Sequence, residues 1–227
     1  VYSQHPAFAS LRDKNEAIRW KVAEALGKIG DPRAVPRLII ALEDTEKSVR
    51  WEAAKALGKI GDPSAVHPLI DALADDCVFV RGETIRALGR IGDRDAAQPL
   101  INALKSSDND IRSKAAEALG KIGDTKALRP LMTIVKDGKS DTDSRECASG
   151  AVYNIINANI TLQRLLKKYY TRLLCSNCFL RAGKISVRIG ILKRYAFIGC
   201  RHCHGCLHFI KNVRQVIGLI GSNIEDH

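Results

Sequence analysis

Two pairs of cysteines stand where chemistry is most legible: Cys175-Ser-Asn-Cys178 and Cys200-Arg-His-Cys203, with 21 residues between them. A CxxC turn lets two thiolates converge on one cation, and two such turns supply four ligands for a tetrahedral site. A closed set of thiolates favours zinc. Cys206, His204 and His208 crowd the second pair, and each has the chemistry to replace Cys203 as the fourth ligand. Three other uses of these residues compete. Cys200-x-x-Cys203-His204 matches the c-type haem attachment pattern, which requires export and leaves Cys175 and Cys178 unexplained. A redox dithiol needs a βαβ setting that the flanking residues do not offer. Four cysteines also hold iron–sulfur clusters. Structural zinc accounts for both pairs at once and is the expectation.

The residues between the pairs fit that expectation. Lys184–Ile189 alternates as a strand, Gly190 marks a turn, and Ile191–Ile198 is a second β-rich run; 208–220 supplies a third. This knuckle–hairpin–knuckle layout resembles a zinc ribbon, placing a small basic domain at 175–227. A domain of this size buries little core, so the metal would supply folding free energy on the order of 10 kcal/mol. Lys184, Arg188, Lys193 and Arg194 are candidate phosphate contacts, with Tyr195 or Phe197 available for stacking on bases. Zinc ribbons of this kind bind nucleic acid in some proteins and only protein in others. No base-reading arrangement is visible, and a solvated basic surface explains the same residues.

The charge belongs to this tail. The chain has 227 residues and a net charge of +11, and residues 161–227 hold twelve Lys and Arg against only Glu225 and Asp226. The preceding residues are nearly neutral. Mean hydropathy is -0.12, and no run of eighteen apolar residues exists, so a membrane-spanning helix is not expected. Seven cysteines, five of them in the basic tail, point to a reducing, cytoplasmic setting rather than a disulfide scaffold. The chain opens on Val1 and is expected to be part of a larger polypeptide.

The elements that must carry this tail form a repeat. ALGKIGD begins at Ala25, Ala56 and Ala118, and ALGRIGD at Ala87. Gly27, Gly58, Gly89 and Gly120 are 31 residues apart, as are Asp31/62/93/124, Arg19/50/81/112 and Leu38/69/100/131. Val49, Ala53, Ala56, Leu57 and Ile60 share one helical face. Gly61-Asp62-Pro63 ends that helix and starts another, whose apolar face is Val66, Leu69, Ile70 and Leu73. Neither helix buries its stripe alone, so the units must stack. Residues 144–174 read as a degenerate fifth, capping pair: Arg145, Ala148, Val152 and Ile155 follow the pattern of the first helix, and a basic amphipathic helix covers roughly 162–174. The array therefore spans 14–174.

The unit DPSAVHPLIDALADD…VRWEAAKALGKIG resembles HEAT repeats of the short subtype named after phycobilisome (bilin) lyases, over about residues 14–157. The resemblance implies a mainly α fold, a right-handed α-α superhelix, whose second helices line a concave surface that grips proteins. It also implies that Asp31/62/93/124 and Arg19/50/81/112 form a ladder between neighbouring units and cap helix ends. Residues present in every unit mark architecture, so site residues should differ between units. On the helices that follow each Asp, Arg33, Arg37, His67, Asp71, Arg94, Gln98, Asn102, Lys126, Arg129 and Thr133 vary, and Arg37, His67, Asp71, Gln98, Asn102 and Arg129 are the candidate partner-binding set. Trp20 and Trp51 occupy one register position, opposite the apolar face, where they form a contact patch or pack on a neighbour. Cys77 and Cys147 read as packing residues.

No catalytic residue is assigned. A di-iron hydroxylase built on similar repeats would need His-Glu pairs, and the chain has none. Bilin-lyase activity is not excluded by motif, but no cluster for it is apparent. The reading is a non-catalytic scaffold that binds a protein partner and holds a structural zinc, with a nucleic-acid adaptor and a bilin-lyase-like enzyme or accessory as alternatives.

Overall fold

The computed structural model describes residues 10–137 and 140–159. The chain divides into two units, Val1–Ile155 and Ile156–His227. The first is a run of helix pairs. Long helices α1 (Glu16–Ile29), α3 (Lys47–Ile60), α5 (Val78–Ile91), α7 (Asn109–Ile122) and α9 (Thr142–Ala158) alternate with shorter α2 (Val35–Ala41), α4 (Val66–Asp71), α6 (Ala97–Ala103) and α8 (Leu128–Lys136). This is the helical solenoid that the 31-residue period requires. Of the fifth pair, α9 is present as expected, and its proposed partner helix at 162–174 lies outside the described residues.

Each long helix stops for a stated reason. Gly30, Gly61, Gly92 and Gly123 sit in the left-handed region, with φ between 73 and 78°. There a residue with a Cβ pays about 1–2 kcal/mol. The next residue, Asp31, Asp62, Asp93 or Asp124, accepts the N–H two residues on and opens a 3-10 turn. That turn runs into the short helix, so the repeated aspartates cap helix starts as expected.

The core lies between the two rows. Leu57, Leu88 and Leu119 of the long helices and Leu38, Leu69, Leu100 and Leu131 of the short ones are fully buried. Each contributes roughly 2 kcal/mol of transfer free energy. Long helices of neighbouring units touch backbone to backbone. A Cβ added to Gly27, Gly58, Gly89 or Gly120 would lie only 2.6–2.9 Å from Ala56, Ala87, Ala118 or Ala151. Glycine is therefore needed in the last turn of these helices, despite its poor helix propensity. Short helices pack on the long helix of the following unit and touch its 3-10 turn.

The first unit shows the same surface without a covering neighbour among the described residues. Ile18 is 40% exposed and Ile29 69%, whereas Val49, Val80 and Ile111, at the register of Ile18, are 0–4% exposed. Ala25 is exposed where Ala56, Ala87 and Ala118 are buried.

Candidate interaction surface

The repeated arginine, the fourth residue of its long helix, is a structural clamp. Arg19 donates Nε and Nη2 to Asp44 at 2.7 and 2.8 Å, and Arg50 does the same to Asp75 at 2.7 and 3.0 Å. Arg112 reaches Asp141 at 2.6 Å. The remaining nitrogen, Nη1, donates to two carbonyls of the arginine's own entry loop, for example Asp44 and Thr45 for Arg50. One guanidinium thus closes its own loop and pins the next. The ladder acids are Asp44, Asp75 and Asp141. This corrects the assignment to Asp31/62/93/124, which cap the 3-10 turns. A second aspartate recurs before the long helix at Asp44 and Asp75, and the capping one lies beyond the glycine, at the opposite end of the helix from the clamp.

Arg81 lacks its rung. The position corresponding to Asp44 and Asp75 is Ser106, and among the described residues Arg81 donates only to the carbonyls of Asp75 and Asp76. Ser106→Asp should complete the ladder and stabilise the array by about 1 kcal/mol, the upper range for a half-buried bidentate pair. Urea unfolding of the full chain checks this, and an unchanged midpoint would show that the two loops are too far apart to pair.

The clamped carboxylates also set the acid limit of the fold. Burial pushes Asp44 and Asp75 upward, but the guanidiniums of Arg19 and Arg50 and the N–H groups of Glu46 and Cys77 outweigh it, and both are held below the usual value. Asp141, bonded by the Ser144 N–H and hydroxyl and by Arg112, is lowered to about 2. A carboxyl depressed in the folded state adds stability above its unfolded pKa, about 4, and loses it as the pH falls through the folded value. Thermal unfolding should therefore be flat near neutrality and drop steeply between about pH 4 and 2.

The six candidate partner-binding residues lie on the short helices. Arg37 is half-buried and lines an open cleft of about 440 Å³ with Leu11, Arg19, Ile40 and Asp44. His67, Asp71, Gln98, Asn102 and Arg129 are exposed. Their mutual contacts are slight: His67 stands 4.0 Å from Asp95, and Gln98 donates to Asn102 at 3.4 Å. They form a row of solvated side chains rather than a converging cluster.

The outer face of the long helices is built differently. Trp20 and Trp51 are half-buried there, and the Lys55 ammonium lies 4.5 Å from the Trp51 ring centre. At the next register position Glu52 and Glu83 are 1% and 3% exposed. Glu52 accepts from Lys55 at 3.0 Å, and Glu83 from Arg86 at 3.2 Å and Arg90 at 3.0 Å. A buried carboxylate held by two guanidiniums keeps its charge paired. Phe79, one turn away on α5, is 73% exposed. The sequence reading did not single out Lys55, Lys59, Phe79, Arg86 and Arg90. The signal was available: one register position reads Glu24, Lys55, Arg86, Glu117.

Cys77 and Cys147 are half-buried free thiols, and burial raises that of Cys147. Among the described residues no group of three or more metal-ligating side chains converges, and no helix is long and apolar enough to cross a membrane. Cys175, Cys178, Cys200, Cys203, Cys206, His204 and His208, with Lys184, Arg188, Lys193 and Arg194, lie outside the described residues.

Stacked helix pairs, interlocked by the Arg19, Arg50 and Arg112 clamps and by glycine-to-alanine contacts, define an α-solenoid of the HEAT/armadillo kind. The family model for HEAT repeats matches residues 6–82 and 78–150, and the chain belongs to that family. The structure is similar to the complex of CpcE and CpcF of phycocyanin lyase from Nostoc sp. PCC7120 (28% identity, TM-score 0.60, covering 74% of this chain and 71% of that one). It is also similar in fold to a designed armadillo repeat protein in complex with the peptide (KR)4 (17% identity, TM-score 0.57, 83% and 94% covered). An engineered protein shares the fold at 22% identity and a TM-score of 0.55, with 75% and 88% covered. No curated protein sequence matches the chain.

Proposed function

We propose that the chain is a non-catalytic scaffold in the cytoplasm, whose array binds a protein partner. The observation that carries this reading is how the repeated polar groups are used. Arg19, Arg50 and Arg112 hold neighbouring loops together, and Asp31, Asp62, Asp93 and Asp124 cap turns. What differs between units is left on the surface, where recognition is written. The similar solved structures support it, since one is a complex of two chains and another holds a peptide.

The reading extends to the tail. Cys175, Cys178, Cys200 and Cys203 bind one structural zinc, with Cys206, His204 or His208 as substitutes for the fourth ligand, and the basic residues around them keep the module soluble or touch nucleic acid. Purified full chain should contain about one zinc, and Cys175→Ser with Cys178→Ser should release it. Zinc retained by the double variant would overturn this ligand set.

A second reading is favoured by the similarity to the phycocyanin lyase complex: a lyase-like enzyme or its accessory. Incubating the full chain with a bilin and a cysteine-bearing acceptor protein separates the two. The scaffold reading expects no covalent adduct. An adduct growing with time and with chain concentration would replace it by the lyase reading.

A further inference from the structure

We infer that the outer face of α3 and α5 is a docking site for an acidic peptide segment that carries an apolar side chain between its carboxylates. This deepens the scaffold reading and rests on it. The inference starts from a difference between units. In α1 and α7 the surface cation has a surface acid one turn before it: Lys28 pairs with Glu24 and Lys121 with Glu117, both at 2.7 Å. In α3 and α5 that acid is replaced by Lys55 and Arg86, and the acids of these two helices, Glu52 and Glu83, are buried beneath. On α3 and α5 themselves the accessible charge is therefore all positive, and the nearest acid on the neighbouring long helix, Glu24, is paired with Lys28. Lys59 enters no ion pair among the described residues and is exposed.

Apolar anchors lie within the same patch. Phe79 is 73% exposed and Trp51 is half-buried below the Lys55 ammonium. Exposed aromatics beside cations form the usual centre of a binding hot spot. The Gly58–Ala87 contact holds α3 and α5 side by side at close range. Helices packed this closely have axes about 8 Å apart. An extended peptide advances roughly 3.3 Å per residue, so one crossing the two helices meets a new set of cations about every second or third residue. Carboxylates at that spacing, flanking one aromatic or aliphatic side chain, complement the patch. Nucleic acid fits less well. The four cations of the patch, Lys55, Lys59, Arg86 and Arg90, are fewer than the about 6–10 contacts that phosphate-driven binding commonly uses.

The test uses the full chain carrying Trp20→Phe, so that Trp51 is its only tryptophan. The probe is the peptide Glu-Ser-Leu-Glu-Ser-Phe-Glu, titrated at low and moderate salt while Trp51 fluorescence is recorded. A saturable change is expected, and Lys59→Glu or Phe79→Ala should each weaken binding about ten-fold. Both side chains are exposed, and far-UV circular dichroism verifies that the helices persist. Peptide bound through the basic tail would keep its affinity in Lys59→Glu and Phe79→Ala. A silent Trp51, undiminished affinity in Lys59→Glu, or tighter binding of single-stranded oligo-dT at the same salt would each overturn the inference. None of these outcomes touches the bilin assay, on which the scaffold reading itself stands or falls.

Discussion

Replacing Gly58 by alanine should destabilise the array by about 2–3 kcal/mol, even though alanine is the better helix former by about 1 kcal/mol. The new Cβ would lie 2.6 Å from the Ala87 Cα and 2.7 Å from its Cβ. The nearer atom is backbone, so no rotamer change relieves the overlap, and α3 and α5 must move apart as units. That separation thins the packing around Leu57 and Leu88, both fully buried. Gly61→Ala is the informative comparison. Gly61 has φ +77° with nothing within 4 Å of an added Cβ, so its cost is conformational only, about 1–2 kcal/mol. Adding Ala87→Gly to Gly58→Ala should recover only part of the loss, because the overlap with the Cα stays. Guanidinium unfolding of the full chains measures all three. A Gly58→Ala chain as stable as its parent would mean that the long helices are not in backbone contact.

The repeat made most of this legible beforehand. Glycine inside an amphipathic helix contradicts propensity, and its recurrence at 31-residue steps marks a packing demand. Gly61-Asp62-Pro63 likewise announces a stop, a cap and a new start. The ladder was harder. Each unit repeats an aspartate after the glycine and another before the long helix, and the sequence alone does not say which faces the arginine. The second is also irregular, being Ser106 in one unit, so its signal is weaker by count while its energetic role is larger. The α3–α5 face was hidden for another reason. Its acids are buried and its cations exposed, and helical angle alone does not separate Glu52 at 1% exposure from Trp51 beside it, half-buried. Tight stacking of the long helices makes that difference, because a side chain projecting into the groove between two helices is covered by the neighbour. The cysteine pairs remain a reading of spacing and chemistry.

Removing Asp75 should cost about 2–3 kcal/mol, the most of any single polar truncation in the array. Its carboxylate side chain is 7% exposed, against 13% for Arg50. It accepts two bonds from Arg50 and one, at 2.8 Å, from the Cys77 N–H that begins α5. Asp75→Ala leaves Arg50 with only Asp76, whose side chain is 88% exposed, together with the two entry-loop carbonyls. The Cys77 N–H loses its acceptor in the same step. A fully buried pair broken on one side costs about 3–5 kcal/mol, and residual access of water to Arg50 brings the expected figure below that range. Arg81 shows that a missing rung is survivable, because its Nη1 still closes the loop through the Asp75 and Asp76 carbonyls. Asp75→Ala should thus lower stability without abolishing the fold. Asp75→Asn, which retains an acceptor oxygen but no charge, should fall between parent and alanine. The loss is also tied to protonation. Parent and Asp75→Ala chains should differ most near neutral pH and converge as the pH falls below about 4 and the parent carboxyl takes up its proton. A gap between the two that stays constant down to pH 2 would show that Asp75 stabilises the array through packing and not through the charge that Arg50 holds.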